Sequence, residues 1–163
     1  MVVYHGTYIA IEKIDLSKSL DKRDFGVGFY TTTDIEQAKR WALNRHGKRG
    51  LDSLVLTYEI ESLEGLNVKR FQGANKAWLE FVARHRRNGG INHNYDIVIG
   101  PVADDTVFIT INLFIEGIYT ADEALKRLKL WKNTDQVSFH TERAVNRLIG
   151  KGWEHVTNDS NVP

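Results

Sequence analysis

The sequence predicts an α+β fold with a split or mixed β-sheet, and three observations support this class. Segments typical of strands and of helices are interspersed without regular strand–helix alternation. No G-x-G-x-x-G turn opens a helix, which argues against a Rossmann domain. The 163 residues, 42% hydrophobic and 26% charged, suit a single globular domain. We expect this domain to span 1–157, followed by a polar tail at 158–163.

The first half of the chain is predicted to hold four strands and one helix. The strands are expected at 2–4, 29–32, 54–60 and 66–71. The helix begins after Thr33 or Asp34 and ends near Arg45. Its inner face is expected to carry Ile35, Ala38, Trp41 and Ala42.

The second half is predicted to hold four helices and three strands. Asn75 caps a helix that ends at 88–90, and Thr120 with Glu123 forms the capping box of a helix through Leu130. Between them, composition at 104–117 favours a strand, but the apolar spacing favours a helix, which we adopt. A last helix is expected from Thr141 through Leu148, closed by Gly150. The strands are expected at 95–99, stopped by Gly100-Pro101, and at 136–139 and 153–156.

Charge and composition exclude several classes of function. Lys and Arg total 22 against 21 Asp and Glu, so no overall field attracts nucleic acid or an anionic membrane. The absence of cysteine excludes disulfides and thiolate catalysis and fits the cytoplasm, where we expect the protein. No run approaches the ~20 apolar residues of a membrane span, and we expect no signal peptide before the first strand. The histidines lack H-x-x-x-H or H-E-x-x-H spacing, so no metal site is predicted.

Two short motifs near the start are the most informative part of the chain. Tyr4-His5-Gly6-Thr7 ends the first strand, and Gly28-Phe29-Tyr30-Thr31-Thr32 follows the glycine-bearing segment 24–27. A histidine and a tyrosine on short strands, each near glycine, predict a pocket for a flat, ring-bearing ligand. Each residue alone has an ordinary interpretation, as a structural histidine, a core aromatic or a turn glycine. Only their occurrence together and in order supports a function.

The motif pair resembles the nicotinamide-pocket signature of diphtheria-toxin-like and PARP-like ADP-ribosyltransferases, the His-Tyr type. The segment 56–60 stands where that family has its next core strand. Tracts at 24–32, 95–105 and 135–141 resemble a small branch of single-domain bacterial members, so the resemblance covers about residues 2–150. It implies an ADP-ribosyltransferase-like split mixed β-sheet core with flanking helices. It also implies a mono-ADP-ribosyltransferase with NAD as substrate and no metal.

The resemblance assigns roles to individual residues. His5, Tyr30 and Gln136 form the expected catalytic set: His5 holds an adenosine ribose hydroxyl, Tyr30 stacks on nicotinamide, and Gln136 contacts the reacting ribose. Trp41 is expected to cover the other face of the cationic ring, and the Gly6 backbone to bind the carboxamide. The other residues expected to bind NAD are Thr7, Arg23, Phe25, Gly26, Gly28, Phe29 and Thr31, with Arg23 able to reach the pyrophosphate.

Gln136 departs from the glutamate that the family often has at this position. An amide can hydrogen-bond ribose hydroxyls but cannot deprotonate a nucleophile, so we expect transfer of one unit rather than chain elongation. A base would have to come from elsewhere, with Asp135, Asp104 and Asp105 as candidates. Two alternatives stay open: an NAD glycohydrolase, and a catalytically silent module that binds nucleotide or a partner.

The acceptor of the ADP-ribose, a protein, a nucleic acid or a small molecule, is not identified by the sequence. The resemblance to small bacterial members implies a toxin or effector, with an antitoxin or inhibitor protein as a possible partner. Two basic clusters, 45–49 and 84–87, could receive a phosphate-bearing target. The second is more simply interpreted as a solvated helix end.

Overall fold

The chain folds into a seven-stranded mixed β-sheet with helices packed on it, which confirms the predicted α+β class. The computed structural model describes residues 1–45, 47–91, 93–102, 105–128 and 134–157. The predicted tail at 158–163 lies outside these residues. The strands are β1 Val2–Thr7, β2 Phe29–Thr32, β3 Leu54–Glu59, β4 Val68–Arg70, β5 Ile97–Pro101, β6 Asp135–Phe139 and β7 Ile149–His155. The helices are α1 Ile35–Arg45, α2 Lys76–Asn88, α3 Asp105–Ile115, α4 Ala121–Leu128 and α5 Glu142–Val145.

The strand order is β4-β5-β6-β2-β1-β3-β7, and the centre of the sheet is its weakest junction. Only β4 and β5 run parallel; the other neighbours are antiparallel. β1 pairs with β3 along its whole length but with β2 only at Tyr4 and Thr32. The two halves of the sheet are therefore joined through a single residue pair.

Alternate residues of the strands supply two separate hydrophobic clusters. In β5, Ile97 and Ile99 join the cluster that contains α5 residues, while Val98 joins the cluster built on α2, α3 and α4. Helix α1 packs closely over β1: a Cβ on Gly6 would lie 2.5 Å from the Ala38 carbonyl oxygen. Gly6 is therefore required by helix packing, whatever else its backbone binds.

The predicted capping residues of two helices are confirmed. The Asn75 side chain accepts a hydrogen bond from the Trp78 amide at the start of α2. Thr120 and Glu123 form the reciprocal capping box before α4. The ambiguous segment is helical over Asp105–Ile115, as its spacing predicts. Asp104, its alternative cap, and Leu130, the expected end of the next helix, lie outside the described residues.

Several predicted strand limits differ from the structure: β1 extends to Thr7, β4 covers only Val68–Arg70, and β7 begins at Ile149. Two other predicted boundaries are wrong because of strand pairing. The last helix does not reach Leu148: α5 ends at Val145, and Gly150 lies in β7, opposite Tyr58 of β3. The 95–99 strand is not stopped by Gly100-Pro101, because these two residues pair with Gln136 and Asp135 of β6. In both places a neighbouring strand supplies partners that local sequence signals do not contain.

The helices within the described ranges are all too short or too polar to cross a membrane.

Candidate functional site

A cavity of about 340 Å³ lies at the weak β1–β2 junction, beside α1 and α2. Both motifs line it, together with α1, β6, the N-terminal part of α3 and the loop before β2. Seven of the residues expected at the NAD site contribute to its walls: His5, Gly6, Arg23, Tyr30, Thr31, Trp41 and Gln136. Residues distant in the sequence are thus brought to one place by the sheet order.

The other five expected NAD-binding residues do not line this cavity: Thr7, Phe25, Gly26, Gly28 and Phe29. Phe25 is fully buried in the α2–α4 cluster, and Phe29 packs against the His5 ring with centroids 4.5 Å apart. A Cβ on Gly28 would lie 2.7 Å from His140 Nδ1, so this glycine is required by packing. These residues support the site from behind.

His5 closes the gap where the β1–β2 backbone pairing stops. Its Nδ1 lies 2.7 Å from the Tyr30 carbonyl oxygen. Because a carbonyl can only accept, Nδ1 carries the proton and donates. In the neutral form of the ring, Nε2 is then the acceptor nitrogen. His5 therefore links the two half-sheets and has a defined tautomer at the cavity wall.

The Tyr30 ring is fixed through its hydroxyl. The hydroxyl donates to the Gly26 carbonyl oxygen at 2.6 Å and accepts from the Phe25 amide at 2.9 Å. Burial, followed by the negative charge of Asp24, raises the pKa of Tyr30 far above its ordinary value. Tyr30 therefore stays protonated and serves as a rigid wall rather than as a base.

A half-buried histidine, His93, and a buried one, His140, hold the loop that anchors Tyr30. His93 Nε2 donates to the Phe25 carbonyl oxygen at 2.9 Å, and His140 Nδ1 donates to the Val27 carbonyl oxygen at 2.8 Å. Burial lowers the pKa of both histidines, that of His140 to about 4. Both rings are therefore neutral near pH 7, which suits their apolar surroundings.

Trp41 borders the cavity but does not lie on the inner face of α1 as predicted, because 43% of it is exposed. Two guanidinium carbons, those of Arg23 and Arg45, lie 5.5 and 5.4 Å from its ring centroid. Burial, and next the positive charge of Arg45, lowers the pKa of Arg23. This wall thus combines an aromatic face with two close cations, a setting that favours an anionic ligand.

A charged network that was not predicted from the sequence also lines the cavity. Arg86 Nε and Nη2 lie 2.8 and 2.6 Å from Asp24 Oδ1, and Gln136 Nε2 lies 2.9 Å from Asp24 Oδ2. All three residues line the cavity. Asp24 adjoins the second motif and could have been singled out for that reason. Arg86, in the last turn of α2, is marked by the sequence only as part of the basic cluster 84–87.

The interpretation of 84–87 as a solvated helix end is wrong for two of its residues. His85 is fully buried, and the Arg86 side chain is 11% exposed. Arg86 Nη1 and Gln37 Oε1, both from residues that line the cavity, are buried without a hydrogen-bond partner. A buried unpaired donor and acceptor are costly, typically 1–3 kcal/mol each.

Of the three proposed bases, Asp135 does not supply a carboxylate to this site. Asp135 is half-buried with a pKa raised by burial, but it does not line the cavity. Asp104 and the side chain of Asp105 lie outside what the structure describes. In the described parts of the chain, Asp24 is the cavity's carboxylate, and no group of three or more His, Cys, Asp or Glu could hold a metal ion.

One protein family matches the sequence over residues 1–149, with the description "Protein of unknown function (DUF3990)". No curated protein and no solved structure matches the chain. The matched range includes both motifs, α1, α2 and Gln136, and therefore the whole cavity.

Proposed function

The chain belongs to the DUF3990 family, and from the geometry of its cavity we propose that it is a mono-ADP-ribosyltransferase that uses NAD. One observation carries the proposal. His5, Tyr30 and Gln136, on three different strands, line one cavity together with Gly6 and Trp41. This is the set that the resemblance assigns to NAD, and its members are far apart in the sequence.

The sheet supports an ADP-ribosyltransferase-like fold as part of the same proposal. A split sheet needs two halves that separate at the ligand, and here β1 and β2 share a single residue pair. The cavity lies at that junction, with His5 bonded across it to the Tyr30 backbone. The motif residues therefore stand where the two half-sheets diverge.

The chemistry of the walls suits the parts of NAD. The cationic nicotinamide ring stacks on Tyr30, with cation–π attraction added to the contact. The pyrophosphate lies toward Arg23 and Arg45, whose guanidinium groups can bind phosphate oxygens. His5 Nε2 and Gln136 accept hydrogen bonds from ribose hydroxyls.

The reaction breaks the bond between nicotinamide nitrogen and the anomeric carbon of ribose. Nicotinamide leaves with the bonding electron pair, so positive charge develops on the ribose in an oxocarbenium-like state. An acceptor nucleophile then forms the new bond to that carbon and loses its proton. The chain's contribution is to hold the ring and the ribose in a fixed orientation and to place negative partial charge near the reacting carbon.

NAD binding is tested by calorimetric titration of protein that is free of bound nucleotide. We expect Trp41→Ala to weaken binding by about tenfold, because the indole ring holds the Arg23 and Arg45 guanidinium groups that face the pyrophosphate, a contact worth roughly 1 kcal/mol or more. Trp153→Ala is the matched control, since Trp153 is also exposed but lies on the edge strand β7. Absence of NAD binding to the wild type would refute the proposal.

The reaction is tested with NAD labelled in its adenosine part and whole-cell extract. We expect label on a macromolecule, one ADP-ribose per site by mass spectrometry, and release of nicotinamide. Removal of the label by protease or by nuclease identifies the class of acceptor. Free ADP-ribose without a labelled macromolecule would mean an NAD glycohydrolase, and binding without nicotinamide release would mean a silent module.

A further inference from the structure

The amide of Gln136 has only one orientation compatible with its neighbours. The side chain lies between β2 and β5, with Thr32 and Gly100 as its strand partners, and is 8% exposed. Its Nε2 lies 2.9 Å from Asp24 Oδ2 and 3.3 Å from the Pro101 carbonyl oxygen. Both neighbours are acceptors, so the atom facing them must be the NH₂ group. The opposite orientation would bring oxygen against two oxygens.

Asp24 is itself held in place by a buried cation. Arg86 donates from Nε and Nη2 to Asp24 Oδ1. The Arg86 side chain is only 11% exposed and the Asp24 side chain 12%. The Arg86 guanidinium carbon also lies 4.7 Å from the ring centroid of Phe108. With Oδ1 occupied by Arg86, the other carboxylate oxygen is directed at Gln136. Asp24 therefore accepts hydrogen bonds from Arg86 on one oxygen and from Gln136 on the other, so each of these contacts joins a donor to an acceptor.

We propose that Asp24 is a positioning residue that orients the Gln136 amide so that Oε1 is offered to the cavity as a hydrogen-bond acceptor. The ligand it serves, the reacting ribose of NAD, rests on the proposed function. An amide oxygen there accepts from a ribose hydroxyl and places negative partial charge near the carbon that becomes positive. The Asp24 charge strengthens that polarisation through the hydrogen bond.

Asp24→Asn tests the orientation directly. Arg86 demands an acceptor, so the oxygen of the new amide turns to it and the NH₂ faces Gln136. Gln136 then either keeps its NH₂ against the new NH₂ or reverses and sets Oε1 against the Pro101 carbonyl oxygen, so the orientation that offers oxygen to the ribose is no longer held. We expect kcat for nicotinamide release to fall roughly 10- to 100-fold, the value of a hydrogen bond to a charged centre. KM should change by less than about threefold, because the groups around the rest of NAD are untouched.

Gln136→Glu gives the second single variant. The new carboxylate would lie against that of Asp24, with Arg86 as the cation beside them, so we expect a lower Tm and a loss of activity. The double variant Asp24→Asn/Gln136→Glu removes the clash: the new amide accepts from Arg86 and donates to the new carboxylate, which again offers oxygen to the cavity. We expect its kcat to recover partly, to above that of either single variant, because one carboxylate oxygen still lies against the Pro101 carbonyl oxygen. Gln72→Glu, the same change at an exposed position, is the control and should alter neither property.

Two readouts keep the tests of the inference and of the proposed function apart. If the wild type releases nicotinamide and the double variant is no better than the worse single variant, the inference is overturned. If the wild type does not act on NAD, the proposed function fails, and the Asp24–Gln136 contact is judged by Tm without ligand. Recovery of Tm in the double variant then supports the orientation, and simply additive losses overturn it.

Discussion

Mild acid should destabilise this protein because His140 is buried in its neutral form. The residue is 7% exposed, with Nδ1 bonded to the Val27 carbonyl and Nε2 at 2.8 Å from Ser138 Oγ. Burial lowers its pKa from 6.5 to about 4, and the Val27 carbonyl only partly opposes this shift. Protonation would place a charge beside His93 and His85, whose own pKa values are also lowered by burial.

The direction and size follow from proton linkage. The unfolded chain binds the His140 proton near pH 6.5 and the folded chain only near pH 4, so stability is complete above the first value and is lost as pH falls toward the second. The whole shift corresponds to about 3 kcal/mol of unfolding free energy, of which about 2 kcal/mol is lost by pH 5. His93 and His85 contribute in the same direction.

Urea unfolding at pH 7.5 and pH 5 at constant ionic strength measures this loss. The variant His140→Gln keeps a donor toward Val27 but cannot titrate, so its loss should be smaller than that of the wild type by about 2 kcal/mol. His155→Gln, at an exposed position on β7, is the control and should behave as the wild type. The reasoning is refuted if the wild type has the same stability at both pH values, or if His140→Gln retains the full loss.

Three further predictions concern the walls of the site. Gly6→Ala should lower the free energy of unfolding by about 1–3 kcal/mol, because the new Cβ would meet the Ala38 carbonyl oxygen. Gly150→Ala, which has open space around it, should change that free energy by less than about 1 kcal/mol. Equal Tm values for the two variants would contradict this. Tyr30→Phe should lose about 1–3 kcal/mol by leaving the Phe25 amide and Gly26 carbonyl unpaired, yet retain NAD affinity in calorimetry because the ring remains. Arg45→Gln should weaken NAD binding and flatten its dependence on salt; an unchanged salt dependence would show that Arg45 does not face the pyrophosphate.

Elements whose signals are local were predictable in detail. The Asn75 cap, the Thr120–Glu123 box and the β2 bounds are found as expected, because the residues that determine them lie within a few positions of each other. The last helix and β7 were not predictable in the same way. β7 is fully exposed along its length and owes its extent to pairing with β3, some 90 residues earlier.

Some residues of the candidate site were likewise predictable from local sequence and others were not. His5, Tyr30 and Gln136 were identifiable because they occur in motifs with a fixed order, and they do line one cavity. The neighbours of those motifs were assigned to NAD as well, but Phe25, Gly28 and Phe29 face the core. Phe25 and Gly28 lie in the loop before β2 and pack against buried neighbours, and Phe29 packs on the His5 ring, so a continuous motif overstates the number of residues at a site.

By itself the sequence determined the fold class, most of the elements and the three motif residues, because periodicity, caps and short motifs are encoded in neighbouring positions. The tertiary structure alone decided which charges meet the motif residues. Arg86 is buried against Asp24 because α2 packs beside the loop before β2, and Asp24 in turn faces Gln136. Such contacts join positions as much as 112 residues apart, and the energy of a buried ion pair depends on that three-dimensional proximity rather than on any local pattern.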